Sequence, residues 1–263
     1  MNFIDNLINI YRNIGVFDSD VIYIYSDLRG FSKYQSEFVS KDNFLEAFIL
    51  PILEKNITVI LPTFSYTTKG IFHTNKTKTN LGALNKWVLN YSDSQRSEHP
   101  LFSYSAIGPR SRELVNNIGK SAFGYDCIFD RILNFNTKFL HLGRPLNFGN
   151  TIIHYIEQIC GATYRYNKKF DVNVYKEDIF MGCDYSAFLR IRNHENNYYG
   201  FDFNRASKII ENKNIVSKLQ MSVEFTEIQI YDAKKVFKIL VDEFYKDHMI
   251  FLKNGTKEPN LDL

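Results

Sequence analysis

Thr151, His154 and Glu157 follow one another at intervals of three within Thr151-Ile-Ile-His-Tyr-Ile-Glu157. On an α-helix that spacing puts the three side chains on roughly one face, and Ile152, Ile153 and Ile156 pack elsewhere. A histidine on a helix beside a carboxylate and a hydroxyl is a way to build a general base, because neutral imidazole titrates near neutral pH. The plainer reading is a packed or solvated histidine, the commoner fate of a lone His on a helix.

The element that positions them begins at Lys138, where Phe139, Leu140 and Leu142 make a short apolar run bounded by Gly143 and Pro145. That predicts a buried strand ending in a turn, with Asn147–Asn150 as a loop and Asn150 as the N-cap of the helix. A second stretch, Gln95 to Arg112, mixes Arg96, His99, Arg110 and Arg112 with the hydroxyls of Ser97, Ser103 and Ser105. Arginine forks and hydroxyls suit phosphate and pantetheine-like amides, and the same composition also describes a polar surface loop.

With 263 residues, 44% apolar and 23% charged, the chain is expected to form one soluble domain, 1–263. Phe and Tyr dominate an aromatic content of 16%. Net charge is +3 and unclustered, which argues against a nucleic-acid partner. Cys127, Cys160 and Cys183 are far apart and odd in number, so neither a disulfide framework nor a zinc site is expected, and no metal. No apolar run reaches the ~18 residues of a membrane span, and the N-terminus has no signal-peptide pattern. A reduced cytoplasmic setting with no membrane partner is the expectation.

In order, residues 2–14 have helical spacing, Val21–Tyr25 reads as a strand, Phe44–Leu53 as helical, and Ile57–Leu61 as a second buried strand. Thr67–Thr79 reads as an exposed loop, and Ile228–Leu252 as a covering helix. Strands alternating with helices predict an α/β fold with a mixed, largely parallel central sheet flanked by helices. Ligands in such sheets sit beyond the carboxyl ends of the strands, at Ser26–Tyr34, Pro62–Tyr66 and Gly143–Asn150. From about 170 to 204, charged and aromatic residues alternate, including Asp184, Tyr185, Arg190, Arg192, Tyr198, Tyr199 and Asp202. This segment is either a smaller substrate lobe that stacks on an amino sugar or a solvated sheet face.

Together these motifs resemble the aminoglycoside 3-N-acetyltransferase family, an antibiotic acetyltransferase fold. Arg96-Ser-Glu-His-Pro with Ser103 and Gly108 is similar to its R-S-x-H-P…S…G segment. Leu142-Gly143 with Thr151, His154 and Glu157 is similar to its L-G…T-x-x-H-x-x-E segment, and Leu61-Pro-Thr-Phe64 and Gly82-Ala-Leu84 to two shorter elements. The resemblance implies a three-layer sandwich and acetyl transfer from acetyl-CoA to an amine of an aminated sugar. It further implies His154 as base with Thr151 and Glu157 as its neighbours, and coenzyme A beside Ser26, Arg29, Arg96, Ser97, His99 and Ser103. Asp27 departs from the family's first loop. Thr63, Tyr66, Asp184, Tyr185 and Asp202 are the expected substrate contacts.

An amine must lose a proton to attack a thioester. Glu157 would then orient the imidazole, and Thr151 would hold the thioester carbonyl or oxyanion at the helix N-terminus. Antibiotic-modifying members bind polycations, which an acidic cleft favours, whereas this chain is slightly basic, with a pI near 8.5. The charge therefore points to a nucleotide-linked amino sugar of surface-polysaccharide biosynthesis as substrate. An aminoglycoside is the alternative, and a non-catalytic acyl-CoA or sugar-binding paralogue the second alternative.

Overall fold

The computed structural model describes residues 2–148, 150–191, 201–221 and 224–253. Gly149 and, from the expected lobe, Arg192, Tyr198 and Tyr199 lie outside the described residues.

The chain opens with α1 (Phe3–Asn13), started by the Asn2 side chain accepting from the Asp5 amide. Next come β1 (Val21–Ser26), a 3₁₀ segment at Leu28–Glu37, α2 (Lys41–Glu46), α3 (Leu50–Leu53), β2 (Thr58–Pro62), β3 (Lys69–His73) and α4 (Ala83–Asn90). They are followed by β4 (Gln95–Arg96), β5 (Tyr104–Ile107), α5 (Ser111–Val115), α6 (Ile128–Ile132), β6 (Thr137–Leu142) and α7 (Ile152–Ile159). Strands β7 (Arg165–Lys169), β8 (Asp171–Lys176), β9 (Ile179–Gly182) and β10 (Ser186–Arg190) precede α8 (Phe203–Asn212). Last come β11 (Ser217–Gln220), β12 (Glu227–Asp232) and α9 (Ala233–Lys246).

Seven strands form the central sheet in the order β11-β12-β6-β1-β2-β5-β4. The central pairs β6–β1 and β1–β2 are parallel. Outside them every pairing is antiparallel, so β5 and β12 oppose the direction shared by the other five strands. The sheet is thus mixed and mostly of one direction, as expected for an α/β chain. Period-two alternation on β1 divides the core between two layers. Val21, Tyr23 and Tyr25 join the apolar cluster that includes α6, α7 and α9, and Ile22 and Ile24 join the one that includes α1, α2 and α3. Tyr23 and Tyr25 thereby face the helix that carries His154.

Two expectations change. Thr67–Thr79 is not all loop: β3 pairs in parallel with β8, and its Lys69, Gly70 and Ile71 are exposed because the small sheet they start lies at the surface. Ile228–Leu252 is not one helix. Residues 227–232 form a strand against β6, Ile228 and Ile230 alternating into the core, and Asp232 caps α9. The 170–204 segment supplies β8 and β9 to the β3 sheet, and β10 pairs with β7. No described helix is long and apolar enough to cross a membrane.

Candidate active site

α7 leaves the sheet just beyond the carboxyl end of β6, in the region where open α/β sheets place ligands. Its buried Ile152, Ile153 and Ile156 anchor it to the core, which fixes the opposite face. His154 Nδ1 stands 2.9 Å from Glu157 Oε2. Glu157 is fully buried, and both its oxygens are engaged. Tyr164 donates to Oε1 at 2.8 Å, and Arg165 Nη2 lies 2.6 Å from Oε2. Burial alone would raise the Glu157 pKa; Arg165 and His154 outweigh it and hold the carboxyl below its ordinary range. The His154 side chain remains 15% exposed. Burial and the Arg165 charge hold its pKa below the ordinary histidine value, against the opposing pull of Glu157. Where Nδ1 gives its proton to Glu157, Nε2 keeps its lone pair, the tautomer a general base needs, and Arg165 Nη2, 3.0 Å from the same Nδ1, then acts on the ring by its charge and not as a donor to it. Phe123 and Phe201 wall the ring at centroid distances of 5.2 and 4.8 Å.

One turn earlier, Thr151 opens on a cleft of about 530 Å³. Ser26, Arg29, Tyr66, Asn85 and Arg144 also line it, with Lys41 at its side. Asp27 caps the 3₁₀ segment and binds Arg29, whose Nη2 is 2.5 Å from Asp27 Oδ2. Three cations and several hydroxyl and amide groups around an apolar floor fit a long phosphorylated thioester such as acetyl-CoA.

The expected site residues fall into two groups. His154 and Glu157 meet, Thr151 lies on the same helix face, and Ser26, Arg29 and Tyr66 share the cleft with Thr151. The Arg96 segment does not reach that cleft. Arg96 is buried against the Phe72 ring and donates to Ser103 Oγ and to the carbonyls of Thr63, Thr74 and Thr77. Ser97 Oγ accepts from the Tyr104 amide, and Ser103 Oγ donates to the Thr63 carbonyl. His99 Nδ1 accepts from the amides of Leu101 and Phe102, so Nε2 carries the proton given to the Ser186 carbonyl. Burial pushes the His99 pKa down to about 4. Arg96, Ser97, His99 and Ser103 therefore form a buried clamp between loops, outside the cleft that Thr151 lines.

Among the expected substrate residues, Thr63 is buried with its hydroxyl 3.1 Å from Ser105 Oγ. Tyr185 is a core residue, Asp184 pairs with Lys120 at 2.5 Å, and Asp202 caps α8. Asn150 is no N-cap either: it is buried, and its amide serves Tyr25 and Tyr231. Tyr164 and Arg165 were absent from the expected site. Their only sequence signal is a basic residue shortly after the turn at Gly161, which ends α7.

The sequence matches the model of a family described as aminoglycoside 3-N-acetyltransferase over residues 41–245. Aminoglycoside N(3)-acetyltransferase III of Serratia marcescens is 33% identical over 101 residues, 38% of this chain. That match spans only 35% of the length of the relative. The crystal structure of aminoglycoside acetyltransferase AAC(3)-IIb superposes with a TM-score of 0.75 at 17% identity, covering 94% of this chain and 98% of that one. AAC-VIa bound to sisomicin gives 0.72 at 16% identity, with 94% and 98% covered. The YokD protein of Bacillus subtilis gives 0.71 at 14%, with 93% and 99% covered. At these identities the structures share the fold, and it is the family match, running from α2 through the His154 helix to α9, that decides membership: the chain belongs to the aminoglycoside 3-N-acetyltransferase family.

Proposed function

We propose that the chain transfers an acetyl group from acetyl-CoA to an amine of an aminoglycoside. The observation that carries this reading is the His154–Glu157 pair one helical turn from Thr151, which opens on a cationic cleft. His154 Nε2 takes a proton from the amine as its nitrogen attacks the thioester carbonyl. Thr151 donates to the carbonyl oxygen as it becomes an oxyanion. When the carbon–sulfur bond breaks, His154 returns the proton to the departing thiolate. Glu157, kept ionised by Arg165, stabilises the imidazolium between those two transfers.

A nucleotide-linked amino sugar has only the net charge of the chain in its favour, whereas the matching family is described by its action on aminoglycosides. A binding protein without turnover would have no need of a buried carboxylate aligned on a histidine.

The test is thiol release from acetyl-CoA against 2-deoxystreptamine aminoglycosides and, separately, against nucleotide-linked amino sugars. Turnover is expected with the first panel, and His154→Gln should lower kcat by roughly 10²- to 10⁴-fold with acetyl-CoA binding retained. Turnover with the second panel alone would overturn the substrate, and silence with both would overturn the activity.

A further inference from the structure

Arg165 Nε is buried and has no hydrogen-bond partner among the described residues. Buried N–H groups are rarely left unpaired, so this one asks for a physical reason. The rest of the guanidinium is used. Nη1 donates to the Phe188 carbonyl at 2.5 Å, and Nη2 to Glu157 Oε2 at 2.6 Å. Arginine and a carboxylate commonly meet side by side, with two parallel N–H donors on two oxygens. Nε and Nη2 are such a pair of donors, and Glu157 would complete the match by turning Oε1 toward Nε.

Tyr164 opposes that turn. Its hydroxyl donates to Glu157 Oε1 at 2.8 Å. Burial and the adjoining carboxylate push the Tyr164 pKa up, so the phenol keeps the proton that it gives. The chain reaches this place by a tight reversal after α7. Gly161 has a φ of +72°, and the Ala162 amide donates to the Glu157 carbonyl at 2.8 Å. Tyr164 and Arg165 therefore come back together on the carboxylate that the helix carries. With Oε1 held, Oε2 faces His154 Nδ1 at 2.9 Å as well as Arg165. Turning Oε1 toward Nε would swing Oε2 off the line to Nδ1. The imidazole proton would then be free to sit on Nε2, in the tautomer that cannot accept a proton from an amine.

We infer that Tyr164 is a positioning residue: by holding Oε1 it keeps Glu157 from pairing side by side with Arg165 and reserves Oε2 for His154 Nδ1. The lone pair of the base is thereby kept on Nε2, and the unpaired Arg165 Nε is the cost of the arrangement. Tyr164 is fully buried and does not line the Thr151 cleft, so it reaches the reaction through Glu157. The inference rests on the proposed acetyl transfer for the role of His154 as base, but the tautomer it predicts exists without substrate.

The test is ¹⁵N NMR of the full-length protein labelled at histidine, at a pH where His154 is neutral, with His154→Gln identifying its ring signals. The unaltered protein should carry the proton on Nδ1. In Tyr164→Phe, which keeps the ring, the proton should move largely to Nε2. Its kcat should fall roughly 10- to 100-fold, with KM for acetyl-CoA unchanged. Its denaturant midpoint should change little, because Arg165 Nε gains the oxygen that Tyr164 gives up. Arg165→Lys keeps the charge but lacks the parallel donors, so adding Tyr164→Phe to it should leave both tautomer and kcat as they are in Arg165→Lys alone. A proton on Nε2 in the unaltered protein, an unmoved proton or a large drop in midpoint in Tyr164→Phe, or an undiminished further loss of kcat in the double variant would each overturn the inference. The predicted tautomers with silence from both amine panels would leave the positioning intact and count against the proposed activity.

Discussion

Arg165 Nη2 stands 2.6 Å from Glu157 Oε2, to which it donates, and 3.0 Å from His154 Nδ1, so one guanidinium binds the carboxylate and sets its charge beside the ring. It arrives from β7, and its Nη1 is tied to the Phe188 carbonyl at 2.5 Å. The consequences for the two partners are opposite in kind. The positive charge favours the Glu157 carboxylate and disfavours the His154 imidazolium. A cation in this place keeps the acid ionised and the base unprotonated, the pair of states that proton abstraction requires.

The pH profile should record this. With the His154 pKa held below its ordinary value, kcat/KM should lose its acid limb below the ordinary histidine pKa of about 6.5. Arg165→Met removes the charge that depresses the imidazolium, so the limb should move to higher pH for the same amine substrate. Comparing variants on one substrate cancels the titration of the substrate itself. Arg165→Lys should not restore the profile fully, because a single ammonium cannot bind Glu157 and the Phe188 carbonyl together as the fork does. An unmoved limb in Arg165→Met would show that Arg165 does not set the base.

Arg96 is expected to matter for folding and not for coenzyme affinity. Arg96→Met strands the carbonyls of Thr74 and Thr77 and leaves Thr63 only its bond from Ser103, a loss on the order of 3 kcal/mol. Denaturant unfolding should show that loss, and KM for acetyl-CoA should stay within about two-fold, under 0.5 kcal/mol. A large rise in KM at unchanged stability would restore Arg96 to the coenzyme site.

Two buried histidines should make the fold acid-sensitive. The His99 pKa is pushed down to about 4 and that of His141 to about 3, both by burial. Their unfolded values are about 6.5, so below that pH the unfolded chain binds protons that the folded chain refuses. The stability they confer is complete above about pH 6.5 and is lost as pH falls toward the folded values. Melting temperature should therefore drop between about pH 6.5 and pH 4, and His99→Gln, which cannot titrate, should flatten the fall. An equal fall in that variant would place the sensitivity elsewhere.

The parts of this molecule legible in its sequence are those whose signal is local. The apolar runs at Val21–Tyr25 and Lys138–Leu142 are strands, and the interval of three from Thr151 to Glu157 does put one face of α7 together. The burial of Arg96 has no local signal, because an arginine among serines reads as surface. What solvates it is a set of backbone carbonyls 19 to 33 residues away, which local pattern cannot show. Asn150 precedes a helix as an N-cap should, yet tyrosines from β1 and β12 claim its amide. Arg165 escaped notice for the same reason: its partners lie across a turn, and only the fold brings β7 back to α7. Strand 227–232 merges with a helical pattern in the sequence because the isoleucines at 228 and 230 are too few to separate a period of two from 3.6.

Coenzyme affinity should depend unequally on the cations of the cleft. The Arg29 side chain is 91% exposed and already bound to Asp27, so Arg29→Ala removes a screened charge and should raise KM for acetyl-CoA only slightly. Arg144 is half-buried, and its Nε donates to the Phe148 carbonyl at 2.9 Å, which holds the guanidinium where the Thr151 cleft meets a second one, lined by Gly143, Pro145, Phe148, Gln220 and Phe225. A pre-positioned fork facing phosphate forms charge-assisted bonds worth about 1.5–3 kcal/mol, so Arg144→Ala should raise KM for acetyl-CoA roughly 10- to 100-fold. Acetyl-CoA lacking its 3′-phosphate separates two placements. If Arg144 meets that phosphate, the truncated donor and Arg144→Ala should show the same loss without adding to one another. If Arg144 meets the pyrophosphate, the two losses should multiply. Unchanged KM in Arg144→Ala would place coenzyme A outside this cleft.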